Sequence, residues 1–84
     1  MSYQTECIKQ FEKEGFTVIK TIRLNKSGYP DLMCMKKGIT IWVEVKEPGD
    51  TLKPLQKKRI DELIANGFKA FCLKKGKGKI YPLD

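Results

Sequence analysis

The chain has 84 residues, 40 % of them hydrophobic, and its 17 basic and 10 acidic side chains give a formal charge of +7. That apolar content supports a packed core and excludes a disordered tail, and the length sets the expectation of a single domain over residues 1–84. No histidine is present, which removes Ser-His-Asp triads, Cys-His nucleophiles and His-ligated zinc. The longest uncharged apolar run, Ile39 to Val43, falls far short of the ~20 residues that span a bilayer. Glu6, Lys9, Glu12 and Lys13 interrupt any apolar signal segment, so a cytoplasmic, reducing location is expected.

In chain order, Tyr3 to Glu14 reads as a helix, with Tyr3, Cys7, Ile8 and Phe11 on one stripe and Gly15 as its stop. The β-branched run Phe16 to Leu24 reads as a strand, followed by the loop Asn25-Lys26-Ser27-Gly28. Leu32 to Met35 is a second strand, and Lys36-Lys37-Gly38 a tight connection. Ile39 to Lys46 is the clearest strand. Its odd positions, Ile39, Ile41, Val43 and Val45, form an aliphatic core face, and its even positions are Thr40, Trp42, Glu44 and Lys46. After the break at Glu47-Pro48-Gly49-Asp50, a helix runs from Pro54 to Asn66, with the proline harmless in its first turn. Lys69 to Leu73 is a short strand, Lys74 to Lys79 a basic turn, and Ile80 to Leu83 a last edge strand. The order α-β-β-β-α-β-(β) gives an α/β class: a small mixed sheet flanked by helices. Cys7, Cys34 and Cys72 each lie in an apolar stretch, without C-x-x-C spacing, and read as small buried hydrophobes.

All but two of the cations are lysines, the exceptions being Arg23 and Arg59. Lysine suits phosphate backbones and arginine base edges, so the balance points to nucleic acid held by shape rather than by sequence. The chemistry is concentrated on the third strand. Its apolar character suggests a central position, where Glu44 and Lys46 are costly unless they serve a site. Counting back from the Lys37-Gly38 turn places Asp31 roughly opposite Glu44. Two adjacent carboxylates repel, and a divalent cation resolves the conflict. Oxygen ligands without His or Cys favour Mg²⁺ or Mn²⁺, and the Val45 carbonyl is a further candidate oxygen. Gln56 falls on the stripe Gln56, Ile60, Leu63, Ile64, facing the sheet; otherwise it serves as a partner in capping its helix. Glu6 borders the first helix's apolar stripe, where it either adds a metal oxygen or remains a solvated residue near the helix N-terminus.

Asp31, Glu44 and Lys46 spell the P-D…E-x-K signature of the PD-(D/E)XK nucleases. Gly28-Tyr29-Pro30-Asp31-Leu32, Trp42-Val43-Glu44-Val45-Lys46-Glu47-Pro48-Gly49 and Leu52-Lys53-Pro54-Leu55-Gln56 together resemble the virus-type replication-repair nuclease (VRR-NUC) domain over nearly the whole chain. The resemblance implies a restriction-endonuclease-like core and metal-dependent hydrolysis of phosphodiesters, with 5′-phosphate and 3′-hydroxyl products. It assigns metal binding to Glu6, Asp31 and Glu44, the catalytic lysine to Lys46 and a supporting glutamine to Gln56. Glu12 and Glu14 on the same helix compete with Glu6 for its role. Lys53 departs from the Ser or Thr that many members carry before the proline.

Single-domain relatives look like homodimeric junction-resolving enzymes, and a two-fold dimer would supply two symmetric cuts and double the basic charge. The expected function is therefore a Mg²⁺- or Mn²⁺-dependent, structure-selective DNA endonuclease resolving four-way junctions. Lys26, Lys53, Lys57 and Lys58 are candidate DNA contacts, with the lysines of the 74–79 turn beside them. A flap- or nick-directed repair nuclease acting with partners, and a DNA-binding module without catalysis, are the alternatives. No membrane and no nucleotide cofactor are expected.

Overall fold

The computed structural model describes residues 1–83. The elements are α1 (Tyr3–Lys13), β1 (Thr17–Lys20), β2 (Leu32–Lys36), β3 (Ile39–Lys46), α2 (Pro54–Ala65), β4 (Lys69–Lys74) and β5 (Gly78–Tyr81). They build one five-stranded sheet in the order β1-β2-β3-β4-β5. Its pairs are antiparallel except β3 with β4, which run parallel because α2 carries the chain back between them. This is the expected α/β class and element order, with β3 at the centre.

Alternation along the strands sends side chains to opposite faces, and each face has its own helix. On one face Cys7 of α1 packs with Leu32, Cys34 and Val43, and Phe11 meets Phe16 edge-on at 5.5 Å between centroids. On the other, Ile60 and Leu63 of α2 pack against Ala70 and Cys72 of β4. All three cysteines are buried, as their apolar surroundings suggested. The Lys37-Gly38 turn has both residues at positive φ, 47° and 80°. That is the backbone twist a two-residue hairpin requires, and Gly38 adopts it without steric cost. Among the described residues no helix is long and apolar enough to cross a membrane.

Expectations about two strands and two core faces change, and other element ends shift by a single residue. β1 ends at Lys20 rather than Leu24, because its partner strand begins at Leu32 and Pro30 has no N–H to offer. Beyond Lys20 the Thr21 amide continues the pairing, to the Asp31 carbonyl at 2.9 Å, and Ile22 is left 80 % exposed. Ile39, at the open start of β3, is 55 % exposed, so the core face begins at Ile41. Ile64 is 41 % exposed, which narrows the α2 stripe to Ile60 and Leu63. β5 covers Gly78–Tyr81 instead of Ile80 to Leu83, and Leu83 is solvent-facing.

Candidate active site

The central strand brings two ionic side chains into a covered position. Glu44 and Lys46 share the face under α2 and are 3 % and 7 % exposed, with Lys46 Nζ 3.2 Å from Glu44 Oε2. Burial pushes the Glu44 carboxyl up to about 7, and the nearby Asp31 charge pushes in the same direction, with Lys46 opposing both. Cys72 stands opposite Glu44 on β4, and its thiol is pushed up to about 11, chiefly by burial. A buried ion pair contributes little to stability by itself, because removing its charges from water offsets their attraction. A buried charged pair at the middle of the sheet marks a candidate functional site.

Asp31 reaches the same place from β2. The Leu32–Val43 register carries forward by one residue to set Asp31 across from Glu44, and the Val45 amide donates to Asp31 Oδ2 at 3.1 Å. The carbonyl of a strand residue points to the same edge as its amide, so the Val45 oxygen also faces the side Asp31 occupies. Pro30, fully buried, delivers the chain to this point. Its carbonyl accepts a hydrogen bond from the Thr21 hydroxyl.

The helix residues divide. Gln56 Oε1 accepts from the Lys53 amide at 3.0 Å, so its carbonyl end serves as a helix cap and its amide nitrogen is left to donate elsewhere. The reciprocal half of a capping box is missing, because the Lys53 ammonium cannot accept a hydrogen bond. Glu6 is half exposed, with its Oε2 3.9 Å from Lys75 Nζ. That lysine follows β4 at the end of the sheet where β3 finishes, since the Lys75 amide donates to the Lys46 carbonyl at 3.0 Å. Even so, among the described residues no three acidic or cysteine side chains converge, and Glu6 does not join Asp31 and Glu44. Glu14 is engaged elsewhere, its carboxylate by Gln10 and its carbonyl by Lys36, and Glu12 is exposed. Lys26, Lys53, Lys57 and Lys58 are all exposed, and Lys57 Nζ lies 5.1 Å from the centre of the Tyr81 ring.

Sequence reasoning missed several residues that hold the site in shape. Glu47 accepts from the Tyr3 amide at 3.0 Å, tying the start of α1 to the end of β3. Lys74 Nζ donates to the Asp50 carbonyl at 2.8 Å, fixing the turn that follows β3. A second cluster joins Tyr29, Arg59 and Glu62. Only the Arg59–Glu62 pair, three apart on a helix, carried a signal in the sequence.

The donor chemistry fits a hard divalent cation. Two carboxylates side by side, with a strand carbonyl turned toward them, form an all-oxygen set. Mg²⁺ is commonly held by one or two carboxylates, with water completing its shell. The Glu44 carboxyl is raised chiefly by burial and secondly by the Asp31 charge, and a cation bound beside it would favour the ionised form.

Asp31, just before β2, thus meets Glu44 and Lys46 of the central strand on a mixed sheet with a helix against each face. The VRR-NUC domain profile matches residues 3–75, and the chain belongs to that family of nuclease domains. A solved structure described as a VRR-NUC domain superposes with a TM-score of 0.72 at 28 % identity, covering 82 % of this chain and 76 % of the other. Archaeoglobus fulgidus Hjc, described as a Holliday junction resolvase from an archaeal hyperthermophile, superposes at 0.68 with 18 % identity, a likeness of fold. That match covers 87 % of this chain and 65 % of Hjc. A third structure, described as a VRR-NUC domain protein, gives 0.50 at 27 % identity, covering 87 % of this chain and 53 % of the other. This chain thus spans about two thirds and about half of the latter two. No curated protein matches it.

Proposed function

We propose that the protein is a metal-dependent, structure-selective DNA endonuclease that resolves four-way junctions as a homodimer. The observation that supports this most is the meeting of the Asp31 and Glu44 carboxylates with the Lys46 ammonium at one end of β2 and β3. Likeness in fold to a Holliday junction resolvase and the +7 charge favour branched DNA as the substrate.

Asp31, Glu44 and the Val45 carbonyl would hold Mg²⁺ or Mn²⁺, with Glu6 reaching it through water. The ion supplies Lewis-acid polarisation of the scissile phosphate and offsets its charge. Lys46 orients the attacking water by hydrogen bonding and stabilises the negative charge that builds on the phosphoryl oxygens. Glu44, 3.2 Å away, keeps the ammonium aimed into the site. The amide nitrogen of Gln56 donates to a flanking phosphate. Lys26, Lys53, Lys57 and Lys58 hold the DNA backbone.

The test is cleavage of a labelled panel with Mg²⁺ or Mn²⁺: four-way junction, 5′ flap, nicked duplex, plain duplex and single strand. Paired symmetric cuts in the junction, absent with Lys46→Ala, are expected. Cutting confined to flaps or nicks would replace the junction assignment, and binding without any cutting would remove the catalytic one.

A further inference from the structure

Asp31 does not sit in a strand. It ends the connection that leaves β1 after Lys20 and enters β2 at Leu32. A carboxylate on such a segment is only as well placed as the segment itself. Most of residues 22–27 is exposed, so the anchoring has to come from the end nearest Asp31.

That end is fastened to α2 by side chains that no part of the proposed chemistry uses. The Tyr29 hydroxyl donates to Glu62 Oε1. Arg59 Nη1 donates to Glu62 Oε2 at 3.1 Å, and Arg59 Nε donates to the Ser27 carbonyl at 2.9 Å. The guanidinium also lies over the Tyr29 ring, 4.9 Å from its centre. One arginine therefore grips the connection at Ser27 and Tyr29, and one glutamate closes the ring. Gly28 sits between these two contacts at φ +87°, and a Cβ there would lie 2.7 Å from Leu55 Cγ. Only glycine lets the backbone come this close to the first turns of α2. On its other side the segment is held by Thr21, through its hydroxyl to the Pro30 carbonyl and its amide to the Asp31 carbonyl.

We infer that Tyr29, Arg59 and Glu62 are positioning residues that latch the connection to α2 and thereby hold the Asp31 carboxylate against the Val45 amide and beside Glu44. The inference rests on the reading of Asp31 as a metal ligand. It adds that the helix carrying the candidate DNA-contacting lysines also sets the geometry of that ligand. Arg59 is not replaceable by lysine here, because a single ammonium cannot serve Glu62, Ser27 and the tyrosine ring from one plane.

The experiment has a metal-free arm and a metal arm. Amide hydrogen exchange at Val45 reports the bond to Asp31 directly, without any ion. Mg²⁺ affinity is read by titration of the intact protein without DNA. Glu62→Ala is expected to speed Val45 exchange about tenfold and to weaken Mg²⁺ about tenfold, the loss expected for a hydrogen bond to a charged group. Cleavage should then recover at high Mn²⁺, and junction affinity without metal should stay within about twofold. Tyr29→Phe, which keeps the ring and loses only the hydroxyl, should shift both readouts the same way by less, and it decides the matter if Glu62→Ala does not fold. Unchanged Val45 exchange and unchanged Mg²⁺ affinity would overturn the latch. A wild-type protein that binds no Mg²⁺ would overturn the ligand reading of Asp31 instead, and the Val45 exchange would still decide whether the latch exists.

Discussion

A glutamate held at the centre of a sheet with its carboxyl near pH 7 has consequences for stability as well as chemistry. Between its ordinary value of 4.5 and about 7, the folded protein keeps a proton on Glu44 that the unfolded chain has released. Stability therefore falls as pH rises through that window, and its contribution is greatest below it. The metal-free melting temperature is expected to drop between about pH 5 and about pH 8, and Glu44→Gln should flatten that part of the profile. Adding Mg²⁺ should raise the melting temperature more at about pH 8 than at about pH 5, because the ligands must be ionised to bind. A response to Mg²⁺ independent of pH would place the ion elsewhere. Lys46→Ala should lower cleavage by roughly 10²–10⁴-fold. Junction affinity, read by mobility shift without metal, should survive, since one covered ammonium adds little to the field of an exposed basic surface.

At the scale of the element, α2 is capped on one side only. Lys53→Ser would supply the missing side-chain acceptor for the first turn, and about 1 kcal/mol of added stability is expected by denaturant titration. The same change removes a candidate phosphate contact, so the slope of log affinity against log salt should fall by about one. Ile60→Ala, which empties a fully buried position between α2 and the sheet, should cost about 2–5 kcal/mol. The contrast between these positions also explains what the sequence could reveal. Alternation along Ile39–Lys46 and the two-residue turn before it specify β3, its register with β2 and the meeting of Asp31 with Glu44, because periodicity and turn length are local properties. The end of β1 was not legible from its β-branched residues, since it depends on a proline just ahead of the partner strand. Gln56 was legible as a residue turned toward partners, and capping was one of the partners foreseen; which one it takes depends on the Lys53 amide. Glu6 comes from α1, which covers the face opposite Glu44 and Lys46, and the face a helix takes is not encoded in its spacing. The part of Tyr29 in the Tyr29–Arg59–Glu62 cluster was not legible, because it joins a loop to a helix 33 residues further along the chain.

For the whole molecule, the proposed homodimer predicts twice the chain mass in solution by light scattering, together with steeply salt-dependent binding to branched DNA. A monomeric mass under conditions that give paired cuts would refute the dimer. An open five-stranded sheet also leaves two unpaired borders, β1 and β5. Each is four residues long, and each carries an exposed lysine, Lys20 or Lys79. Short, charged borders are poor templates for adding a strand from another chain. Growth of the sheet into a ten-stranded dimer or a fibril is thus discouraged at both ends. The proposed homodimer would then close through another part of the surface, leaving each copy its own complete sheet.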